Sequence, residues 1–300
     1  MAKILVTGGA GFIGSHLTDR LLKLGHKVTI LDDLSTGKGE NINRNAKFVL
    51  GDIRRNLSTL LKDKRFDYVY HLAAQTSVRK SFENPEEDYE INGFGSINVI
   101  GYCIKHGIKE FIFSSSAAVY SPEAEVPLRE NSEVKPLSPY GKAKLYIEEH
   151  LERNQELDYA CLRYGNVYGP RQDSKGEAGV VSIFTDNALH RNILKINGDG
   201  EQTRDFVYVK DVVSANVLAL NLRLNGIFNV STGKETSVNH LVRRIGELTD
   251  SDYRIKYVDG LNGELRRSCL SFEKINGQGW KPKYSLDRGL RETIAWFKKG

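Results

Sequence analysis

Tyr140 and Lys144 stand four residues apart in PYGKAK, at the start of a helical stretch, so their side chains share one helix face. A tyrosine is a poor base at neutral pH because its ordinary pKa is about 10, and a neighbouring ammonium favours the phenolate. FSSSAAVY, residues 113–120, follows a β-rich run and offers serine hydroxyls for a hydrogen bond to a reacting oxygen. Alone, Tyr-x-x-x-Lys is a common pattern that usually marks a solvated helix face. Here it accompanies a serine-rich strand end and a glycine loop, and that combination selects proton transfer.

The glycine loop is TGGAGFIG, Thr7–Gly14, directly after the first strand and opening the first helix. It contains Gly9-x-Gly11-x-x-Gly14 and also Gly8-x-x-Gly11-x-x-Gly14. The early glycines allow a tight turn and close backbone approach to a pyrophosphate. Gly14 lets helix and strand pack closely, and the helix N–H groups attract phosphate charge. A lone glycine pattern is weak, but the strand–turn–helix setting is the one the mechanism needs. Asp32, at the end of the second strand, can hydrogen-bond both hydroxyls of an adenosine ribose. An acid there repels a 2′-phosphate, which favours NAD over NADP. Asp33 reads as a solvated turn residue. An oxidised nicotinamide would add its positive charge to that of Lys144 in favouring the phenolate.

Alternating elements must hold these groups. KILVT (3–7), KVTIL (27–31), AKFVL (46–50), DYVYHL (67–72), EFIFS (110–114) and YACLRY (159–164) read as strands. SHLTDRLLKLG (15–25) has helical leucine spacing and a glycine stop, and further helices are expected near 57–64, 85–107 and 139–155. Nearly continuous apolar strands separated by helices predict an α/β doubly wound parallel sheet of the Rossmann type. From Asn166 onward the chain is richer in loops. RDFVYV (204–209), a helix from Asp211 and GIFNVST (226–232) read as elements returning to the first domain. Helices near 181–191, 237–249 and 286–299 complete a smaller C-terminal α/β lobe. The expected division is 1–165 for the dinucleotide, with elements near 204–232 returning to it, and 166–300 for the substrate.

Composition removes other classes. With 300 residues, 27% charged and 9% aromatic, the chain is neither disordered nor collagen-like. It has no apolar run near the roughly 20 residues that span a bilayer, and its N-terminus reads as a strand rather than a signal peptide. The net charge of +5 is spread along the chain, without the basic stripe of a nucleic-acid binder. Cys103, Cys161 and Cys269 are too far apart for a disulfide framework or a zinc site. A cytoplasmic globular protein that binds neither membrane nor nucleic acid, and no metal, is expected.

TGGAGFIGSH, LDDLSTG, GDI, HLAAQTSV, SSSAAVY, PYGKAK, RYGNVYGPRQ, GDGEQTRDFVYVKDV and a late GW-KP segment occur in order along nearly the whole chain. Together they resemble the extended short-chain dehydrogenase/reductase superfamily and, within it, the UDP-hexose 4-epimerase family. The resemblance implies a tightly held NAD that is not consumed and a UDP-sugar substrate. Tyr140 would take the proton of the sugar 4-hydroxyl while hydride leaves C4 for the nicotinamide. The 4-ketosugar would turn over, and hydride would return to its other face. Ser116, the third serine of its run, would aid proton transfer, and Lys144 would tune the tyrosine and hold the nicotinamide ribose.

By the same resemblance, Gly8, Gly11, Phe12, Ile13 and Gly14 would line the dinucleotide beside Asp32. Asp52 and Ile53 would flank the adenine, Leu72, Ala73 and Ala74 would run along the dinucleotide, and Tyr164 would approach the nicotinamide. Asn92 reads either as support for the site or as a structural asparagine. Substrate contacts would come from Ser116, Tyr140, Asn166 and Arg204, the last two at the phosphates, and from the backbone of Val180 and Val181. Lys195 and Asn197 fall at the uracil pocket. Asp211 reads as a helix cap. Relatives pair the helices near 85–107 and 139–155, so a homodimer is expected.

The departures are informative. Sister dehydratases and decarboxylases carry acids after the catalytic serine or threonine; this chain has Ala117 and Ala118, which exchange no proton, so elimination lacks its acid–base pair. UDP-glucuronate epimerases and decarboxylases, 4,6-dehydratases and a non-catalytic NAD-binding sensor are the alternative readings. A phosphate-binding arginine usual in the family is replaced by Leu261, and Arg266 or Arg267 would substitute. The position gating the sugar 2-substituent is Ser268, small enough for an N-acetyl group, so UDP-N-acetylglucosamine is expected to be accepted beside UDP-glucose. Ser121 replaces a customary glycine and should alter only a local turn.

Overall fold

Seven of the apolar runs become one sheet. The computed structural model describes residues 1–62, 65–175, 179–251, 253–260 and 265–299. Its large sheet contains β1 (Lys3–Thr7), β2 (Lys27–Asp32), β3 (Lys47–Leu50), β4 (Tyr68–His71), β5 (Glu110–Ser116), β6 (Tyr159–Tyr164) and β7 (Gly226–Val230), in the order β7-β6-β5-β4-β1-β2-β3. The β1·β2, β1·β4, β2·β3 and β4·β5 pairs are parallel, with Thr7 beside both Leu31 and His71. Ile4, Leu5 and Val6 are all fully buried, as a strand covered on both faces requires. The chain winds outward in two directions from β1 and β4, so the loops after those strands diverge at a topological switch point.

Three helices matter most around this sheet: α1 (Phe12–Lys23), α2 (Ser96–Lys105) and α3 (Pro139–Arg153). Leu5, Val69, Phe111 and Phe113 of the sheet pack with Val99 and Ile100 of α2 and Ile147 and Leu151 of α3. Pro139 occupies the first turn of α3, and the Ser138 hydroxyl accepts the Gly141 N–H at 3.0 Å, which fixes where this helix begins.

The chain divides into two compact units. The first comprises 1–121, 134–163 and 213–228; the second comprises 122–133, 164–212 and 229–300. In the second, α4 (Val180–Leu189), α6 (Val238–Thr249) and α7 (Leu286–Phe297) pack on one another, while α5 (Val209–Leu222) has only its first residues in this unit. Strand 166–168 pairs in parallel with 206–208, and 193–197 with 254–258; 203–204 pairs antiparallel with 236–237.

Three local expectations differ. The single helix foreseen over 85–107 is a short helix, 85–88, a π-helical stretch, Tyr89–Gly95, and then α2. The wide π turn places Asn92 inward, where its amide bridges backbone groups of Gln75. RDFVYV forms two short strands rather than one, and 206–208 pairs with 166–168. Asp211 is not a cap: α5 starts at Val209, and the Asp211 carboxylate instead accepts the backbone N–H groups of Lys283 and Tyr284, each at 3.0 Å. Among the described residues no helix is long and apolar enough to cross a membrane. All three cysteines are buried free thiols.

Candidate active site

The loop after β1 is built as a cradle that side chains would fill. Gly8 has φ +71°, and a Cβ there would meet the Ala73 backbone nitrogen at 2.6 Å. A Cβ on Gly14 would overlap the Gly8 carbonyl oxygen, so the close approach that needs Gly14 lies within the loop itself. Gly9 is the glycine that faces the neighbouring strand, against Ile30. Gly11 precedes α1 with no side-chain cap, and the first turn, Phe12, Ile13 and Gly14, carries no acid. The positive end of the helix is thus left without a competing anion.

Asp32 sits buried at the end of β2. Its Oδ2 accepts the Ala10 N–H and its Oδ1 the Leu34 N–H, both at 2.9 Å. Burial raises its pKa, and the two backbone donors oppose that rise. Each carboxylate oxygen keeps a lone pair for a further donor. Asp33 is exposed and accepts from Ser35 in a local turn, as expected. Asp52 is held low by Arg54, which pairs with it at 2.6 Å, and Ile53 is buried in the core beneath. The Leu72 N–H donates to the Thr7 carbonyl, and the Ala73 N–H to the Thr7 hydroxyl; Ala74 is half-buried. Tyr164 is buried at the end of β6.

In the same unit, Ser116 closes β5 and Tyr140 opens α3. The Ser116 hydroxyl favours ionisation of the Tyr140 phenol, and Ser116 Oγ accepts the Ala118 N–H at 3.1 Å. A Cβ on Gly141 would overlap the Ala118 carbonyl, so that glycine allows α3 to sit against the 117–119 turn. Lys144 is buried, donates to the Ser114 carbonyl at 2.8 Å, and places Nζ 4.8 Å from the Phe113 ring centre and 5.6 Å from that of Tyr140. Burial brings Lys144 down to about 8, against the pull of Asp88 and Glu148. Tyr140 departs from the simple expectation. Burial pushes it up to about 12, the Ser116 hydroxyl opposes, and Asp88 pushes the same way as burial. It is a phenol at neutral pH in the protein alone.

Behind these groups lies a buried polar frame that motif reading missed. Glu148 accepts from the Ser115 hydroxyl and pairs with Arg163 at 2.6 Å, and the Arg163 guanidinium lies 4.7 Å from the Tyr120 ring centre. A second chain runs from the Thr7 hydroxyl to His71 at 2.7 Å, from His71 to Ser96 at 2.9 Å, and from Ser96 to the Asn92 carbonyl at 2.6 Å. Asn92 and Gln75 then both donate to Asp88 Oδ1, so Asn92 is bonded into the frame. Extending the α3 spacing one turn, Tyr140–Lys144–Glu148, would have found Glu148. Asp88 carries no such signal.

Residues 4–231 match the family described as the NAD dependent epimerase/dehydratase family. The chain belongs to that family. The UDP-glucose 4-epimerase of Thermotoga maritima, solved with UDP-glucose, is 45% identical with a TM-score of 0.95, covering 99% of each chain. The UDP-glucose 4-epimerase of Thermus thermophilus, solved with NAD, is 38% identical with a TM-score of 0.94, also covering 99% of each. The UDP-N-acetylglucosamine 4-epimerase of Methanobrevibacter ruminantium, in complex with UDP-N-acetylmuramic acid, is 39% identical with a TM-score of 0.94, covering 99% of this chain and 98% of that one.

An adenine dinucleotide of the kind this epimerase/dehydratase family uses fits the first unit. The side-chain-free cradle of Gly8–Gly14 and the spare lone pairs of Asp32 are its observable requirements. Within the second unit, Val180 and Val181 lead α4, whose N-terminus has no side-chain cap. Arg204 Nη1 donates to the Thr203 and Leu265 carbonyls, each at 2.8 Å. Arg266 is held by Asp199 at 2.7 Å, and Arg267 by Glu235 at 2.5 Å. Ser268 is buried, with its N–H on the Thr203 carbonyl. Asn166 and Lys195 are exposed, and the Asn197 carbonyl accepts from Gln202. Leu261 lies outside the described residues.

Proposed function

We propose that the chain is an NAD-dependent UDP-hexose 4-epimerase interconverting UDP-glucose and UDP-galactose. The observation that carries the reading is the Ser116–Tyr140–Lys144 group, buried at Lys144 and half-buried at the other two, in the unit that holds the glycine cradle, with Ala117 and Ala118 after the serine where elimination would need acids. The relatives named as 4-epimerases over full chain length support it. NAD, when bound, supplies a hydride acceptor that is restored within each turnover and, when oxidised, one positive charge. Asp32 would hold its adenosine ribose, Gly8–Gly14 its pyrophosphate, and Lys144 its second ribose.

Tyr140 would exchange the proton of the sugar 4-hydroxyl, with Ser116 relaying it. A phenol held at about 12 is a weak proton acceptor at rest. Added positive charge beside it, in the shielded setting that Lys144 already shares, moves it toward phenolate. The second unit would hold the sugar nucleotide through Asn166, Arg204, Arg266, the leading residues of α4, Lys195 and Asn197. Small, buried Ser268 supports acceptance of a 2-N-acetyl group, so UDP-N-acetylglucosamine would be a second substrate.

The reading extends to assembly and setting. Val78, Phe82, Tyr89, Phe94 and Tyr146 are exposed on helices of the first unit, with the Tyr89 ring 5.1 Å from Phe94 and 6.0 Å from Tyr146. A two-fold homodimer would cover that apolar face. Three buried free thiols suit a reducing cytoplasm, where the reaction would serve galactose use.

The test is conversion of UDP-galactose by purified protein, read by coupling to a UDP-glucose dehydrogenase. Tyr140→Phe should lower kcat by about 10²–10⁴-fold. No steady NADH release should accompany turnover before coupling, because the hydride goes back. Wild-type protein that yields no UDP-glucose, or a phenylalanine variant of equal rate, would overturn the proposal.

A further inference from the structure

Asp88 closes the short helix 85–88 and is 1% exposed. Its Oδ1 accepts from Gln75 Nε2 at 2.7 Å and from Asn92 Nδ2 at 2.9 Å. Its Oδ2 is equally buried and has no hydrogen-bond partner among the described residues. A half-satisfied buried carboxylate is unfavourable unless an opposite charge compensates it. Helix 85–88 and the π-helical stretch pack against α3, and the buried ammonium on α3 is Lys144, 3% exposed.

Few other charges face Lys144. On α3, Tyr140 is a neutral phenol, and Glu148 is already bound by Arg163 of β6. Cys161 of β6 stays a thiol because burial pushes it up, and His71 of β4 stays neutral because burial brings it down to about 3. The end of β5 and the 117–119 turn offer hydroxyls and backbone but no charge. Arg79, Lys80 and Glu83 of helix 78–83 are exposed, as are Glu86, Glu87 and Glu90 beside Asp88. Among the described residues packed around this part of α3, the buried groups left without a direct ion pair are Lys144 and Asp88.

We propose that Asp88 is a positioning residue: its buried carboxylate is the counter-charge that keeps Lys144 an ammonium beside Tyr140. The same carboxylate ties Asn92 and Gln75 into the frame. This deepens the epimerase reading and rests on it for its kinetic consequence. Asp88 raises both Lys144 and Tyr140, and although burial raises Asp88 itself, Gln75, Lys144 and Asn92 each favour its carboxylate.

The test is kcat of the holoenzyme on saturating UDP-galactose against pH. In Asp88→Asn the alkaline midpoint should fall by about one pH unit, leaving activity about fivefold lower near that midpoint and recovering toward wild type on the acid side. Asp88→Glu should restore the midpoint. Gln75→Leu, which removes one donor but no charge, should leave it in place. A uniform loss of kcat at every pH, or no change, would overturn the proposal.

Thermal melting supplies a readout independent of activity. The loss of Tm in Asp88→Asn should be largest at about pH 6 and shrink once Lys144 is neutral, above about pH 9; a pH-independent loss would mean a purely structural aspartate. If wild-type protein does not epimerise at all, the functional reading fails and the melting comparison alone decides the role of Asp88.

Discussion

Replacing Glu110 by glutamine should make the protein more stable at alkaline pH while changing little in mild acid. Glu110 is the first residue of β5, 1% exposed, and neither of its carboxylate oxygens has a hydrogen-bond partner among the described residues. Burial, with Asp158 adding to it and Arg223 opposing, pushes the carboxyl from the ordinary 4.5 up to about 8. The native state therefore holds a proton that the unfolded chain releases. Below about pH 4.5 both states are protonated and the site has no pH-dependent cost. As pH rises toward 8, the unfolded chain binds fewer protons than the native one, and stability falls by about 1.4 kcal/mol per pH unit. Across that span the loss reaches at most about 5 kcal/mol, less whatever hydration the ionised site recovers.

Glutamine keeps the shape and removes the titration, so the quantity of interest is how the variant differs from wild type as pH changes. Melting temperatures measured at matched ionic strength should nearly coincide, or differ by a constant, at about pH 5. By about pH 8.5 the variant should lead by several degrees, since each kcal/mol is worth roughly 1.5–2 °C in a chain of this length. A difference between the two proteins that is the same at both pH values would show that Glu110 is hydrated or paired in solution, and the reasoning would fail.

Two further outcomes follow from the geometry. Gly14→Ala places a methyl group against the Gly8 carbonyl, so the cradle must open; the variant should fold but lose tightly held dinucleotide on gel filtration, and normal retention would show the loop has slack. Ser268→Tyr fills a buried position in the second unit; it should abolish conversion of UDP-N-acetylglucosamine while sparing UDP-glucose. Equal loss on both substrates would show that position 268 supports the fold rather than gating the sugar.

Much of the frame was readable because it depends on local patterns. Apolar runs between helices, the glycine loop at a strand–helix junction, and Tyr140 and Lys144 one turn apart are all short-range signals, and each appears where expected. What escaped depends on packing. The π-helical turn at 89–95 has no signature in residue spacing; it becomes visible only once the Asn92 amide is seen spanning the Gln75 backbone. Asp211 has the residue type of a cap, yet its partners, Lys283 and Tyr284, are more than seventy residues away in sequence. Arg266 offered a free cation on paper, but Asp199 from a distant loop engages it. Residue type suggests what a group can do, whereas long-range pairing decides what it is left free to do.

Tyr140 shows why that distinction bears on function. Spacing alone suggests that an ammonium one turn away should lower the phenol, but burial acts on both groups, moving the lysine down to about 8 and the tyrosine up to about 12. These shifts move toward the uncharged forms of both residues, so the isolated protein is poorly prepared to remove a proton. The buried charges nearby offset one another, Glu148 in a direct pair with Arg163 and Asp88 acting on Lys144 through its charge, so no surplus positive charge is left over to create a resting phenolate. An acceptor prepared in this way gains its basicity from charge that arrives with its ligands, and it is silent toward stray proton donors until they bind. The opposite end of β5 gives an internal control. Glu110 and Ser116 terminate the same strand, and Glu110→Gln should shift stability with pH yet leave the pH dependence of kcat unchanged. If that variant also moved the kinetic profile, the strand would be coupling its two ends, and the local charge balance around Lys144 would not be sufficient to set the site.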